Sequence, residues 1–203
     1  MDLDATFGAI DIYLFDQLLR RRITERDRVF DAGCGGGRNL VYMLRAGFDL
    51  QGVDGDPDAI REVRALAATL APALPPDRFR AEPIERNSFP DAFATVVISS
   101  AVLHFARDDA QFDAMLAGAW RLLAPGGMWF CRLASTIGLE SRVRRIGGAG
   151  RRYRLPDGTD RYLVDEAFLM DRTRALGSQL LDPLKTTVVQ DQRAMTTWVV
   201  RRT

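Results

Sequence analysis

A loop with four glycines, placed between two aspartates, carries the clearest chemical signal in the sequence. The glycines lie in RVFDAGCGGGRN, residues 28–39, directly after a short apolar run that contains Asp31. They allow backbone torsions at positive φ and remove β-carbons where a ligand lies against the main chain. Asp54 follows Gly33 after 21 residues, a spacing at which a carboxylate accepts hydrogen bonds from both hydroxyls of a ribose. The pattern predicts a ligand that contains adenosine, and both NAD and S-adenosylmethionine (SAM) fit it.

The spacing inside the loop argues against two common nucleotide-binding motifs. A dinucleotide fingerprint, G-x-G-x-x-G, requires its third glycine at position 38, which is Arg38. A phosphate loop requires a Gly-Lys-Ser/Thr ending, which this loop lacks. The loop instead reads D-x-G-x-G-x-G from Asp31 to Gly37. An NAD(P)-dependent oxidoreductase stays an alternative that the spacing disfavours, and a catalytic Tyr-Lys pair for it is also missing.

The single histidine is the side chain best suited to general base catalysis. His104 follows a long apolar run, on the side of a parallel sheet where ligands bind. Its ordinary pKa near 6.5 suits a base at neutral pH, and packing beneath the next helix is the alternative role. Because no second histidine could activate it, Cys34 is interpreted as a small packing residue, and Cys131 as a core residue.

Arginines are concentrated in an insert rich in Arg and Gly at residues 136–163. Such side chains can bind a carboxylate or a phosphate in bidentate fashion. A solvated face and a contact with RNA are the alternatives, but aromatic residues do not alternate with the basic ones as in RNA-binding patches. The arginines in question are Arg142, Arg144, Arg145, Arg151, Arg152, Arg154 and Arg161.

The apolar patterns around these residues predict strands and helices in alternation. An amphipathic helix over about residues 9–22 comes first. Strands are predicted at RVFDAG, DLQGVDGD, RFRAE, FATVVISSAVL and MWFCRLA, and helices at RNLVYMLRAG, DAIREVRALAATLA and DDAQFDAMLAGAWRLL. This alternation predicts an α/β fold, namely a Rossmann-like doubly wound sheet that is mostly parallel.

The pattern changes after Ser135. The stretch RYRLPDGTDRYLV predicts a hairpin around a Pro-Asp-Gly turn, and VDEAFLMDRTRALG predicts a helix. Two β-branched runs separated by QDQR then predict a C-terminal antiparallel pair of strands.

Composition indicates a globular protein with a real core. The chain has 203 residues, 47% hydrophobic and 27% charged, with a formal net charge of +1. We expect a single domain over residues 1–203, and the balanced charge gives no reason to expect nucleic acid or a membrane as partner. Two cysteines without metal-ligand spacing predict neither a disulfide framework nor a metal site. The start of the chain lacks the features of a secretory signal, so the cytoplasm is the expected location.

Four motifs, in order and with proper spacing, resemble those of the class I SAM-dependent methyltransferases from about residue 28 to the end. They are VFDAGCGGGRN, GVDGDP, SFPDAFATVVISSAVLHF and WRLLAPGGMWFCRLA. The form G-C-G-x-G-R-N is also similar to the small-molecule branch that includes tellurite-resistance and thiopurine-type methyltransferases. The resemblance implies SAM as methyl donor and S-adenosylhomocysteine as product.

The resemblance also implies roles for individual residues. Asp31 and the backbone of Gly33 would hold the methionine end of SAM, and Asp54 its ribose. The chain from Glu82 to Ile84 would meet the adenine edge, although Pro83 has no N–H to donate. The cofactor contacts implied in this way are Tyr13, Asp31, Gly33, Cys34, Gly35, Gly37, Asn39, Asp54, Gly55, Glu82, Ile84 and Ser99.

For the acceptor, the resemblance implies a site between two covering segments. The leading helix within residues 1–27 would act as a lid, and the insert at residues 136–163 would lie over the acceptor. Arg132, Arg144 and Arg145 are candidates for contact with an anionic small molecule, and His104 is the candidate base. A SAM-binding regulatory protein without catalysis and an RNA methyltransferase are the alternatives, while the acceptor and the oligomeric state do not follow from the sequence.

Overall fold

The polypeptide forms one large sheet with helices on both faces and one small sheet. The computed structural model describes residues 2–148 and 150–203. Its helices are α1 (Leu3–Phe7), α2 (Ile12–Leu19), α3 (Val41–Arg45), α4 (Pro57–Leu70), α5 (Asp109–Trp120) and α6 (Glu166–Ala175). Its strands are β1 (Arg28–Ala32), β2 (Asp49–Asp54), β3 (Phe79–Ala81), β4 (Ala94–Ser100), β5 (Leu123–Ala134), β6 (Arg144–Arg145), β7 (Arg152–Arg154), β8 (Asp160–Tyr162), β9 (Ser178–Leu180), β10 (Lys185–Val189) and β11 (Arg193–Arg202).

The large sheet has the strand order β10-β11-β5-β4-β1-β2-β3, and β9 pairs with the end of β11. Strands β1 to β5 are parallel, whereas β11 runs antiparallel to β5 and β10 antiparallel to β11. The predicted Rossmann-like doubly wound α/β sheet, mostly parallel with a C-terminal antiparallel strand, is confirmed. The predicted terminal pair of strands is β10 and β11.

Successive side chains of a strand point to opposite sides, so the sheet has two apolar faces, and helices cover both of them. Val29 of β1 packs in the core beneath α3 and α4, and its neighbour Phe30 packs in the core beneath α5. Strand β4 alternates in the same way and is buried along nearly its whole length. This explains its continuous apolar sequence, which is typical of a central parallel strand.

The register brings the ends of three strands to one edge. Asp31 of β1 pairs with Gly52 of β2 and with Ile98 of β4. Asp54 therefore ends β2, and Ser100 ends β4, at the same carboxyl edge of the sheet as Asp31. In parallel α/β sheets this edge is where ligands bind.

The helices are shorter than the sequence predicts near the N-terminus and the glycines. The helix expected over about residues 9–22 is α2, eight residues long, preceded by the separate α1. The helix expected from Arg38 begins only at Val41, because tight turns precede it. In these turns Gly37 N donates to Cys34 O, and Leu40 N donates to Gly37 O.

The small sheet has the order β6-β7-β8 and lies within the predicted insert. The hairpin expected around Pro-Asp-Gly is β7 and β8, which are antiparallel as predicted. Leu155 and Leu163 anchor it by packing against Ala134 of β5 and Ala194 of β11. Within the described residues, every helix is too short or too polar to cross a membrane.

Candidate functional site

The glycine loop, residues 33–39, uses its missing β-carbons to fit tightly into the fold. Gly33 has φ +90°, and a β-carbon there would lie 2.5 Å from Cγ2 of Val102. Gly37 has φ +86°, and a β-carbon there would lie 2.8 Å from Cγ2 of Val63. The loop start is also pinned by hydrogen bonds of 2.9 and 3.0 Å from the amides of Gly33 and Cys34 to Val53 O. The loop is therefore held in one shape by its contacts with the rest of the fold.

Asp31 is a buried carboxylate without a hydrogen-bond donor among the described residues. It is only 1% exposed, and neither of its oxygens has a partner. Burial, opposed by Arg38 and aided by the negative charge of Asp54, raises its pKa to about 7. A buried, unpaired carboxylate is costly unless a partner compensates it. Its position beside the glycine loop suits the positive group of a ligand.

Asp54 organises the loop and the following helix start. Its two oxygens accept hydrogen bonds of 2.9 Å from Gly35 N and from Asp56 N. Each carboxylate oxygen can accept a second bond, so the side chain keeps capacity for a ribose. Gly55, next in the chain, has open space around its Cα.

A cavity of about 360 Å³ lies over the glycine loop. We call it the glycine-loop cavity; it is lined by residues 33–36, Arg38 and Asn39 of the loop, by Glu62 and Leu66 of α4, and by Ser100. Asn39 is buried at its rim and accepts a 3.0 Å hydrogen bond from Asp11 N. Ser99 is fully buried within the sheet.

Eight of the twelve residues predicted to contact the cofactor lie outside the lining of this cavity, namely Tyr13, Asp31, Gly37, Asp54, Gly55, Glu82, Ile84 and Ser99. Both carboxylate oxygens of Glu82 accept hydrogen bonds from Ser88, and Ile84 is buried in the core beneath α5. The Tyr13 hydroxyl is 2.7 Å from Thr187 Oγ1 of β10. Their roles toward adenine and SAM stay predictions.

The two cysteines are buried and free. Burial is the main cause that raises the pKa of both thiols, for Cys34 with the negative charge of Asp31 adding to it. Both therefore stay protonated at neutral pH, in agreement with a packing role. Among the described residues, no His, Cys, Asp and Glu side chains gather into a group that could hold a metal ion.

A second cavity of about 370 Å³ lies beside the first and shares Arg38 with it. Ser100 lines the first cavity, and the next residue, Ala101, lines the second. We call this second space the arginine cavity, because four guanidinium groups line it against one carboxylate, that of Asp157. The four are Arg38, Arg132, Arg161 and Arg193.

His104 lines the arginine cavity from the 3-10 turn that follows β4. It is 6% exposed, and its Nδ1 accepts a 3.2 Å hydrogen bond from Ala134 N. Burial, together with the positive charges of Arg161 and Arg132, lowers its pKa to about 4. The imidazole is therefore neutral at pH 7 and only weakly basic, an environment that disfavours the general-base role its ordinary pKa suggested.

The N-terminal segment, residues 2–22, is fastened to both cavities through Asp11. The Asp11 side chain caps α2 by accepting from Tyr13 N at 2.9 Å. Its other oxygen lies 3.0 Å from Nη1 of Arg132, in a pair whose carboxylate is 2% exposed. The Arg132 guanidinium also lies 5.5 Å from the centre of the Tyr13 ring. These contacts hold α2 against the edge where both cavities open.

Three of the seven arginines of the insert form ion pairs near the protein surface. Arg142 pairs with Asp191, Arg151 with Asp165, and Arg154 with Asp160. Arg144 and Arg145 lie exposed on β6, and neither lines the arginine cavity. Of the substrate contacts predicted from the sequence, the structure brings only Arg132 to this cavity.

The arginine cavity contains residues that sequence reasoning missed as a group. In the sequence, Arg38 is only a departure from a dinucleotide fingerprint, and Arg161 is only one of seven arginines in the insert. Arg193 opens β11, far from all the motifs, and carries no signal by itself. Strand β11 is buried almost continuously from Ala194 to Val200, so an alternation of its side chains does not place Arg193 either.

Comparison with known proteins links the first half of the chain to methyltransferases. Residues 29–127 match the family described as "Methyltransferase domain". An uncharacterized methyltransferase of Synechocystis sp. is 29% identical over 109 residues, which cover 53% of this chain and 47% of that protein. The chain thus spans about half the length of this curated relative.

Solved structures share the fold over nearly the whole chain. One is the 1,6-didemethyltoxoflavin-N1-methyltransferase of Burkholderia thailandensis, solved with 1,6-didemethyltoxoflavin and S-adenosylhomocysteine. It has a TM-score of 0.70 and 20% identity, over 100% of this chain and 81% of that one. A [4+2]-cyclase has a TM-score of 0.70 and 15% identity, over 94% of this chain and 80% of that one. Since this fold serves more than one reaction, the activity must be argued from the site.

Proposed function

We propose that this chain, which carries a methyltransferase domain of the class I SAM-dependent type, transfers a methyl group from SAM to a small-molecule acceptor. The product of the donor would be S-adenosylhomocysteine. We further propose that the acceptor carries negative charge and that the reaction takes place in the cytoplasm.

The observation that carries the proposal is the carboxylate of Asp31. Its two oxygens lack partners among the described residues although the side chain is 1% exposed. The methionine end of SAM carries an ammonium group, which would supply the missing donors and the compensating charge. Asp54, across the loop, keeps acceptor capacity for the ribose hydroxyls. The residues present therefore fit this cofactor.

When bound, SAM supplies an activated methyl group on a positive sulfur, so the protein contributes mainly positioning and exclusion of water. The glycine loop would let the ligand lie directly on the main chain. The N-terminal segment, held by the Asp11–Arg132 pair, would shield the carboxyl edge from solvent.

The arginine cavity supports a reaction with a separate acceptor over a purely regulatory role. It adjoins the glycine-loop cavity, shares Arg38 with it, and is lined by four arginines. A scaffold protein would have no need of a second polar cavity at this place. Its volume of about 370 Å³ suits a small molecule, in contrast to the open surface that RNA requires.

Isothermal titration with S-adenosylhomocysteine tests the cofactor assignment. We expect the wild-type protein to bind and Asp31→Asn to bind about 10- to 100-fold more weakly, because a hydrogen bond to a charged group contributes about 1.5–3 kcal/mol. Asp49→Asn is the matched control. Asp49 starts β2 at the opposite end of the sheet and pairs there with Arg78. An absence of binding, or equal affinity of the Asp31 variant, would contradict the proposal.

The acceptor can then be sought with SAM labelled in its methyl group. We expect a cell extract incubated with the protein to yield one labelled small molecule. The unmethylated form of that molecule should be retained on an anion exchanger. Label in RNA alone would point to the alternative of an RNA methyltransferase.

A further inference from the structure

The imidazole of His104 is fixed in one tautomer by the backbone. Ala134 N donates to its Nδ1 at 3.2 Å, and a nitrogen that accepts a hydrogen bond carries no proton. The proton of the neutral ring is therefore on Nε2. Nε2 has no hydrogen-bond partner among the described residues, and the side chain lines the arginine cavity. His104 thus offers this cavity a donor and no acceptor.

Three of the four guanidinium groups of this cavity form no ion pair among the described residues. Arg132 is paired with Asp11, whereas Arg38, Arg161 and Arg193 have no carboxylate within salt-bridge distance, although Asp157 interacts electrostatically with Arg161 and Arg193 from farther away. The one carboxylate of the lining, Asp157, accepts hydrogen bonds from the amide and hydroxyl of Thr159 at 2.9 and 2.6 Å. The cavity therefore holds a surplus of donors and positive charge.

The position of Arg161 is fixed relative to His104. Its Nη1 donates to Asp160 O at 2.8 Å, and its guanidinium lies 4.9 Å from the centre of the Phe105 ring. That ring in turn packs on His104, with 4.6 Å between the ring centres. The guanidinium of Arg161 and the imidazole of His104 are thus held in place before a ligand oxygen binds to them.

The remaining wall of the cavity is apolar. Leu155, Val189 and Met195 line it together with Ala101 and Ala134. An inorganic ion would leave this wall uncovered, whereas an organic anion would cover it with its carbon skeleton. A planar carboxylate also matches the bidentate geometry of a guanidinium.

We propose that His104, Arg161 and Arg193 form a carboxylate-binding subsite, in which Nε2–H of His104 donates to the anion, so that the methyl acceptor is a small organic acid. Only the naming of this ligand as the acceptor rests on the proposed function. Because the imidazole donates a hydrogen bond and does not remove a proton, the atom that receives the methyl group must already be nucleophilic when the acceptor binds. A carboxylate, and a second group of the acid that needs no deprotonation, both meet this requirement.

Nitrogen NMR of the single histidine tests the subsite directly, because protein labelled with 15N in histidine shows one imidazole. In the presence of S-adenosylhomocysteine we expect a protonated Nε2, an unprotonated Nδ1, and no titration between pH 6 and 8. Addition of benzoate should shift the Nε2 resonance, whereas benzamide, a neutral molecule of the same shape, should not. A protonated Nδ1, a midpoint within that pH range, equal shifts by both probes, or no shift by benzoate would overturn the proposal.

Two substitutions at His104 separate a donor from a merely structural role. His104→Gln can place an amide N–H near the position of Nε2, whereas His104→Asn can only accept from Ala134 N. We expect benzoate affinity, measured by titration calorimetry, to stay within about threefold in the first variant and to fall at least tenfold in the second. Equal loss in both variants would overturn the donor role.

Arg193→Gln should also weaken benzoate at least tenfold, and Arg201→Gln on the same strand should not. Arg201 is exposed and lies outside the arginine cavity. Stronger binding of inorganic phosphate than of benzoate would show an inorganic-anion site and overturn the assignment to organic acids. Binding of S-adenosylhomocysteine without any benzoate response would leave the methyltransferase function standing and remove the subsite. Benzoate binding without S-adenosylhomocysteine binding would leave the carboxylate-binding subsite standing and contradict the methyltransferase function.

Discussion

Asp31 and His104 are buried side chains at the same edge of the sheet, and burial shifts the pKa of each toward its neutral form. For Asp31 desolvation raises the pKa to about 7, and for His104 it lowers the pKa to about 4. Their neighbours differ, however. Asp31 has free acceptor oxygens and suits a cation, while His104 has a fixed donor and stands among arginines. Opposite ligand charges are thus favoured at two neighbouring points of this edge.

The raised pKa of Asp31 makes the stability of the ligand-free protein depend on pH. Between the unfolded value of 3.8 and the folded value of about 7, the folded state binds one more proton than the unfolded state. The free energy of unfolding therefore falls as the pH rises through this range. Above the range, Asp31 adds no further pH dependence. We expect Asp31→Asn to remove this fall, so that the variant becomes more stable relative to the wild type from pH 4 to pH 7. Urea unfolding at several pH values measures the difference.

Asp49→Asn again provides the comparison, since its carboxylate is exposed to solvent and paired with Arg78. It should not gain stability relative to the wild type over the same pH range. If the difference in unfolding free energy between Asp31→Asn and the wild type stays constant from pH 4 to pH 7, the raised pKa of Asp31 is contradicted.

At the scale of elements, helix α2 depends on one side chain for its position. Asp11 caps the helix and pairs with Arg132 of β5, and its amide donates to Asn39 of the glycine loop. A short helix has little intrinsic stability, so its tertiary contacts decide whether it is ordered. The helix at the carboxyl edge is therefore coupled to the loop that we propose binds the cofactor.

Asp11→Ala should detach α2 from the edge. It removes an N-cap and leaves the Arg132 guanidinium without its carboxylate, at a cost of about 2–4 kcal/mol in unfolding free energy. We expect faster amide hydrogen exchange over residues 12–19 and weaker binding of S-adenosylhomocysteine. Hydrogen-exchange mass spectrometry and titration calorimetry measure the two effects.

Asp16→Ala on the same helix is the control. Asp16 pairs with Arg20 at the surface, where the two side chains are 33% and 42% exposed. Because exposed pairs contribute no more than about 1 kcal/mol, this variant should keep its cofactor affinity. Equal effects of both substitutions would show that Asp11 has no special role.

At the scale of the whole molecule, the small sheet shares its core with the large one. Tyr162 of β8 is fully buried and stacks on Phe112 of α5, with 4.6 Å between the ring centres. Leu155 and Leu163 continue this contact toward Ala134 of β5. The side of the arginine cavity on which Leu155 lies is therefore part of the common hydrophobic core.

We expect the chain to unfold as one cooperative unit. Differential scanning calorimetry should show a single transition whose calorimetric and van't Hoff enthalpies agree, at about 140 kcal/mol near 60 °C for a chain of 203 residues. Tyr162→Ala should lower the midpoint of that one transition. A separate early transition would show that the small sheet folds independently.

The sequence by itself determined the fold class and predicted the cofactor side of the proposed site. The alternation of strands and helices predicts the parallel sheet, and the glycines predict a close approach of ligand and backbone. These signals are local, because periodicity and turn chemistry act within a few residues. Asp31 and Asp54 could be found since each lies near the carboxyl end of a strand that its own sequence predicts, one residue before the end of β1 and at the end of β2.

Only the tertiary structure assembled the arginine cavity, which is the proposed acceptor side. Arg38, Arg161 and Arg193 come from three distant segments, and they meet because β11 pairs with β5 and the small sheet folds over that pair. The state of His104 is set by the amide of Ala134, thirty residues away in the chain. Long-range pairing and burial fix these contacts, and neither leaves a periodic trace in the sequence around the residues concerned.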